Sequence, residues 1–139
     1  MSRSRKDYPL AETQPECIAG KRGLTLSEIT LDAVLAGDVT MDDLRITPDA
    51  LTAQAEIARD AGRPTLGLNF ERAAELVDVP QDFIMEVYEL LRPGRAKTKQ
   101  QLLDAAHIMR QTYKAERIAR FIEEAADIYD ERGLFTYRF

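Results

Sequence analysis

Apolar residues recur along most of this chain at intervals of three and four positions, the spacing of an amphipathic helix. One stripe comprises Leu66, Phe70, Ala73 and Val77, and another comprises Ile118, Phe121, Ile122, Ala125, Ile128 and Tyr129. Alternation of apolar and polar residues, which would indicate strands, never extends beyond a few positions. The pattern therefore predicts a mainly α-helical protein, with short helices followed by a long C-terminal helical stretch.

Prolines, glycines and capping residues divide this pattern into separate helices. Thr30 can cap a helix that Gly37 ends in the left-handed conformation. Thr47 can cap another, whose first helical position suits Pro48. The predicted elements are Thr30–Gly37, a short turn over Thr40–Leu44, and helices over Thr47–Ala61, Pro64–Val77, Pro80–Leu91 and Thr98–Arg132. The sequence does not decide whether the last stretch is one helix or two.

Residues 1–24 form an arm with two prolines, two glycines and no helical stripe. Its apolar members include Tyr8, Pro9, Leu10 and Ile18, which would be poorly placed in water. An arm lying on a partner subunit and a floppy terminus are both compatible with this composition. We expect a single domain, since 139 residues is an ordinary length for one. It consists of an extended arm (1–24), a helical body (25–132) and an unusually aromatic tail (133–139).

Composition and charge narrow the class of protein. The chain has 19 Lys and Arg against 24 Asp and Glu, a net charge of −5, which argues against a protein that mainly grips nucleic acid. No apolar run approaches the roughly 18 residues of a transmembrane helix. The single cysteine, Cys17, excludes an internal disulfide, and no apolar signal segment is visible at the N-terminus. These features predict a cytoplasmic protein.

Candidate chemistry is sparse. Cys17 and His107 are the single cysteine and the single histidine, and they lie in different predicted elements, which disfavours a Cys–His dyad. Asp104 lies three positions before His107, but helical di-iron sites need two such pairs with glutamate. The stretch Gly62–Gly67 begins like a phosphate loop but lacks the Gly-Lys-Ser/Thr ending, so a helix end followed by a helix start is preferred. The sequence predicts no active site and no metal site.

The helices carry many alanines, and the predicted face of the Thr47–Ala61 helix, formed by Leu51, Ala55 and Ala58, is thin. Small residues bury little area, although they allow another backbone to approach closely. The arm, the thin helices and the aromatic tail are easiest to explain if another chain completes the core. A free-standing helical binding module is the competing hypothesis.

Four stretches stand in an informative order and spacing: Asp7–Ala11 (DYPLA), Asp43–Pro48 (DLRITP), Asn69–Leu76 (NFERAAEL) and Leu90–Pro93 (LLRP). They resemble the small (gamma) subunits of adenosylcobalamin-dependent diol and glycerol dehydratases. The likeness continues through Leu102–Leu103 to Glu124–Ala126 and so covers nearly the whole chain from Asp7. The tail Gly133–Phe139 departs from the Lys-rich ends of that family.

The resemblance implies a mostly helical small subunit that packs on a large TIM-barrel subunit, in a dimer of heterotrimers with a medium subunit. Adenosylcobalamin would lie between the large and medium subunits, and radical dehydration would convert a 1,2-diol such as propane-1,2-diol to an aldehyde. This chain would hold no catalytic residue, no cofactor-binding residue and no metal ligand. The stretch Arg45–Leu76 is nearer the diol type, and a glycerol dehydratase is the alternative.

An obligate interface of this kind typically buries about 2,000 Å² or more, with aromatic and large aliphatic side chains dominating. The expected contact residues are Tyr8, Pro9, Leu10, Arg45, Phe70, Arg72, Leu76, Leu91, Arg92 and Pro93. The sequence leaves open whether the complex is packaged in a bacterial microcompartment.

Overall fold

The computed structural model describes residues 2–136 as a mainly helical chain, which confirms the predicted fold class. Its helices are α1 (Leu10–Thr13), α2 (Leu31–Ala36), α3 (Met41–Leu44), α4 (Pro48–Asp60), α5 (Pro64–Leu76), α6 (Gln81–Leu91), α7 (Lys99–Gln111) and α8 (Glu116–Glu131). The chain forms two compact units, Met1–Val77 and Asp78–Phe139. They are described separately below as the N-terminal and C-terminal units.

The helix ends follow from the residues that the sequence places there. The Thr30 hydroxyl accepts a hydrogen bond from the Ala33 N–H at 3.2 Å, and Gly37 ends α2 with φ of 81°. The Thr47 hydroxyl accepts from the Ala50 N–H at 3.2 Å. Gly62, with φ of 75°, follows α4. These contacts confirm the predicted starts of α2 and α4 and the reading of Gly62–Gly67 as a helix end and a helix start.

The N-terminal unit is built on α4 packed against α5. The predicted face of Leu51, Ala55 and Ala58 is buried. A Cβ atom added at Gly67 would lie 3.0 Å from the Ala55 carbonyl oxygen and 3.0 Å from Cγ of Arg59. Glycine at this position therefore lets α5 approach α4 closely, as the small residues of α4 suggest. An ion pair of 2.6 Å between Arg59 and Glu71 also joins the two helices.

The N-terminal arm lies on α4 of its own chain. Leu10 is buried in a cluster with Ala53 and Ile57, and Ile18 packs against that cluster. The backbone N–H groups of Arg3 and Arg5 each donate to a carboxylate of α4 at 2.8 Å. The arm also contains α1 and short 3-10 turns, so its backbone is more ordered than an irregular segment. This packing replaces the floppy-terminus interpretation, while contact of the arm with a partner stays a prediction.

The C-terminal unit contains α6, α7 and α8. The sequence left open whether the stretch Thr98–Arg132 is one helix or two. Two helices are present, because the chain turns between Gln111 and Glu116. Lys114 takes the left-handed conformation there, with φ of 58°. The turn falls where the sequence carries little apolar weight. The largest fully buried side chains of the described residues, Leu102, Met109 and Ile122, all lie on this α7–α8 hairpin.

Ion pairs hold the hairpin at its turn. The Arg110 guanidinium donates to Glu116 at 2.7 Å and to Glu123 at 2.6 Å. The pKa of both carboxyls is lowered, chiefly by these hydrogen bonds. At the other end of the hairpin, Lys99 pairs with Asp127 at 2.7 Å. The charged side chains thus bridge the helices around an apolar interior.

The tail after α8 is partly packed. Gly133, with φ of 64°, follows the helix, as the sequence predicts. The ring of Phe135 lies 6.3 Å from that of Tyr129 in an edge-on arrangement. The remaining aromatic residues of the predicted tail, Tyr137 and Phe139, lie outside the described residues.

No helix within residues 2–136 has both the length and the apolar character needed to cross a bilayer.

Candidate partner interface

The side chains considered for chemistry lie in unremarkable surroundings. Cys17 is an exposed residue of the N-terminal unit, and His107 is an exposed residue of α7 in the C-terminal unit. Asp104, three positions before His107, accepts a hydrogen bond from the Gln100 amide at 2.8 Å. Among residues 2–136, no group of three or more His, Cys, Asp and Glu side chains could hold a metal ion. The features of this chain that point to a function are therefore its exposed apolar side chains.

Exposed apolar side chains concentrate in one stretch of the N-terminal unit, which we name the apolar segment, Leu31–Ile46. Leu31 is 73% exposed, Leu35 is 77% exposed and Met41 is 70% exposed. The large hydrophobic residues exposed in this segment are Leu31, Val34, Leu35, Met41, Leu44 and Ile46. Single exposed leucines are normal on a protein surface, but a succession of six within 16 positions marks a surface for interaction.

The first half of the apolar segment is α2, which buries none of its residues. Leu31, Val34 and Leu35 occupy positions i, i+3 and i+4, so they share one face of the helix. That face is exposed to solvent. A six-residue helix is too short to be stable through its own hydrogen bonds. Its conformation depends on the Thr30 cap, on the left-handed Gly37 and on the turn that follows.

The second half of the apolar segment combines a buried aspartate with exposed apolar side chains. Val39 and Asp43 are buried, whereas Met41, Leu44 and Ile46 are exposed. The Asp43 carboxylate accepts hydrogen bonds from the Thr40 N–H at 2.8 Å and from the Thr40 hydroxyl at 3.2 Å. This capping box begins α3, from which Met41 and Leu44 extend to solvent.

Arg22 from the arm completes the anchor of Asp43. Its Nε donates to Oδ1 of Asp43 at 2.8 Å, and its Nη2 contacts Oδ2 of the same carboxylate. Nη2 also donates to the Asp38 carbonyl oxygen at 2.7 Å. The Arg22 hydrogen bond is the main cause that lowers the pKa of Asp43, which is only 4% exposed as a residue. We call these contacts the Arg22–Asp43 clip.

The backbone of the arm at Gly20 also packs closely against the backbone of α3 at Asp43. A Cβ atom added at Gly20 would lie 2.8 Å from the Asp43 carbonyl oxygen and 3.2 Å from its Cα. Only glycine leaves room for this approach. An isolated antiparallel β-bridge joins Ala19 to Thr25, on either side of Gly20 and Arg22. The arm therefore holds the apolar segment in a fixed conformation through both charge and shape.

The C-terminal unit has exposed apolar side chains that are more dispersed. Met85 and Tyr88 lie three positions apart on α6 and are exposed. Ile108 on α7 and Phe121 on α8 are exposed to a lesser degree. These residues are spread over three helices, in contrast to the consecutive set in the apolar segment.

The ten residues predicted to contact a partner occupy different environments. Tyr8, Arg45, Arg92 and Pro93 are exposed, and Leu10 is buried in its own unit. The others, Pro9, Phe70, Arg72, Leu76 and Leu91, are partly buried. Arg45 pairs with Asp42 at 3.5 Å, and Arg92 pairs with Glu89 at 3.0 Å. Their contact with a partner stays a prediction.

The sequence predicts α2 and α3 but does not assign their apolar side chains to an interface. The signal that could have done so is the i, i+3, i+4 stripe of Leu31, Val34 and Leu35. Periodicity shows that such residues share a face, but it does not show whether that face points inward. Nor did the sequence indicate that Arg22 and Asp43, 21 positions apart, form an ion pair.

The chain is similar to known proteins both in a family model and in individual relatives. The model of a family described as the dehydratase small subunit matches residues 3–136. The propanediol dehydratase small subunit of Salmonella typhimurium is 50% identical over 133 residues, which cover 94% of this chain and 76% of that protein. The protein of the same name from Citrobacter freundii is 50% identical over 126 residues, 91% of this chain and 73% of the relative.

Proposed function

Because this chain belongs to the dehydratase small-subunit family, we propose that it is the non-catalytic small subunit of a diol dehydratase that acts on propane-1,2-diol. The 50% identity to the Salmonella typhimurium propanediol dehydratase small subunit, over 94% of this chain, carries the proposal. A glycerol dehydratase is the alternative activity for the complex, since the resemblance extends to both types.

In the proposed complex, the chain binds a large TIM-barrel subunit and assembles with a medium subunit as a dimer of heterotrimers. Adenosylcobalamin, which supplies the radical that starts the removal of water, is assigned to the large and medium subunits. His107 is an exposed residue of α7 and is given no role in holding the corrinoid. The contribution of this chain is to cover apolar surface of its neighbour. We place the complex in the cytoplasm, and its packaging in a bacterial microcompartment is a further proposal.

Co-expression tests this function directly. A tagged copy of the chain is produced together with the large and medium subunits of the dehydratase from the same source, and the captured material is assayed with adenosylcobalamin and either propane-1,2-diol or glycerol. We expect all three subunits in a stable complex that forms aldehyde faster from propane-1,2-diol. A higher rate with glycerol would favour the alternative activity.

The isolated chain provides the second arm of the test. We expect sedimentation to show a helical chain that aggregates through its exposed apolar side chains when the other subunits are absent. If the chain failed to capture either subunit and instead sedimented as a stable monomer or homodimer, the subunit assignment would be overturned in favour of a free-standing binding module.

A further inference from the structure

We propose that the apolar segment Leu31–Ile46 is the surface by which this chain docks on the large subunit, and that the large subunit offers there an apolar patch with a basic rim. The proposal rests on the proposed function, because it names the contact surface of the complex described above. Three observations support it: the exposure of the side chains, their fixed placement and the charge around them.

The exposed side chains of the apolar segment are not part of the core of the described residues. The face of α2 that carries Leu31, Val34 and Leu35 would be the buried face of a surface helix in an ordinary globular protein. Here it points to solvent, and α2 buries none of its residues. Met41, Leu44 and Ile46 continue the exposed apolar side chains beyond Gly37. Exposed large aliphatic side chains in succession are typical of an obligate subunit contact.

The backbone that carries these side chains is held by contacts within the chain itself. The Asp38 and Val39 N–H groups both donate to the Ala33 carbonyl oxygen, at 2.9 and 3.3 Å, and so join α2 to the following turn. The Arg22–Asp43 clip then ties that turn to the arm. A preformed surface loses less conformational entropy on association than a mobile one. The segment therefore has a preorganised backbone for docking.

The charges around the segment select the partner. Residues 31–46 contain four aspartates and a single basic residue, Arg45. Asp43 is committed to the clip, and Arg45 pairs with Asp42. Asp32 and Asp38 are exposed, and the half-exposed Arg22 of the clip lies near Asp38, so the segment together with Arg22 keeps a net charge of −2. Two copies docked through this surface would bring like charges together, whereas a different chain with a basic rim would complement them.

The decisive experiment uses the three co-expressed subunits. We expect the double variant Leu31→Ser/Leu35→Ser to reduce recovery of the large subunit by at least tenfold. Both side chains are exposed, so the helical circular dichroism of the full chain should not change. The matched control is Met85→Ser on α6, also exposed, which should change recovery by less than twofold. Equal recovery with the double variant and the wild type, or an equal loss with Met85→Ser, would overturn the assignment.

Charge provides an independent test. In the double variant Asp32→Asn/Asp38→Asn, we expect association with the large subunit to slow by about threefold to tenfold at low salt and to depend less on ionic strength. An unchanged rate and salt dependence would refute the basic rim.

The outcomes separate this inference from the function on which it rests. If the wild-type chain captures the other subunits and Leu31→Ser/Leu35→Ser does so equally well, the docking surface is wrong and the subunit assignment stands. If the wild-type chain captures neither subunit, both proposals fail. If the wild-type chain dimerises in sedimentation, and the double variant abolishes that dimer but leaves capture of the large subunit intact, the occupant is a second copy and our proposal is overturned.

Discussion

The α7–α8 hairpin and the apolar segment Leu31–Ile46 use aliphatic side chains in opposite ways. In the hairpin, Leu102, Met109 and Ile122 are fully buried, and ion pairs lie around them. In the apolar segment, the half-exposed Arg22 pairs with the buried Asp43, and the aliphatic side chains are exposed. The same residue types therefore stabilise one region and are available for contact in the other. What distinguishes the two regions is whether another helix of the same unit covers the apolar face.

The strongest test of this contrast compares two leucine-to-alanine variants. Leu102→Ala removes a fully buried side chain from α7, and we expect a loss of about 2–5 kcal/mol in the free energy of unfolding. Leu35→Ala removes an exposed side chain from α2, and we expect a change within about 0.5 kcal/mol. Denaturant unfolding of the full-length chain measures both. Similar losses in the two variants would show that the apolar segment is covered within the folded chain.

The two ion-pair systems should respond to acid in the same direction. Arg22 lowers the pKa of Asp43, and Arg110 lowers the pKa of Glu116 and of Glu123. A carboxyl whose pKa is lower in the folded state adds stability above its unfolded pKa and loses it as the pH falls. The ordinary values are 3.8 for aspartate and 4.5 for glutamate. Stability should therefore be constant down to about pH 5 and should decline below it.

Variants assign this acid response to the two regions. Glu116→Gln/Glu123→Gln should reduce the part that begins near pH 4.5, the ordinary pKa of glutamate, and Asp43→Asn should reduce the part that begins at lower pH. Unfolding midpoints measured between neutral pH and pH 3 give the comparison. If both variants retained the wild-type acid profile, the ion pairs would not contribute to stability at neutral pH.

The smallest expected effect comes from a helix cap. Thr47→Ala removes the hydroxyl that accepts from the Ala50 N–H at the start of α4, and we expect a loss of about 1 kcal/mol. Thr47→Ser keeps a capping hydroxyl and serves as the control, with a loss of a few tenths of a kcal/mol at most. Thermal unfolding of the two variants in parallel measures the difference. Equal stability of Thr47→Ala and the wild type would mean that α4 is held by its packing against α5 alone.

The order and limits of the helices were largely predictable because they depend on local chemistry. Thr30, Gly37, Thr47, Pro48 and Gly62 act through hydrogen bonds and backbone preferences within a few residues of themselves. The split between α7 and α8 was less certain, because a non-glycine residue, Lys114, takes the left-handed conformation at the turn.

The orientation of the helical faces was not predictable, because it depends on contacts between distant residues. Leu51, Ala55 and Ala58 were expected on one face of α4 and are buried, and Gly67 of α5 lies against the backbone at Ala55. The equally clear stripe on α2 is exposed. The sequence likewise shows an arm with apolar residues, but not that Leu10 is buried against α4 of the same chain.

The clip between Arg22 and Asp43 also bears on how such chains can be recombined. The first two dozen residues carry one half of this ion pair, and the other half lies in α3, within the apolar segment. In a chimera of two relatives, Gly20, Arg22 and Asp43 would have to come from the same parent, because the Gly20 backbone and the Arg22 side chain both contact Asp43. A safer crossover point is the junction between Val77 and Asp78, where one compact unit gives way to the next.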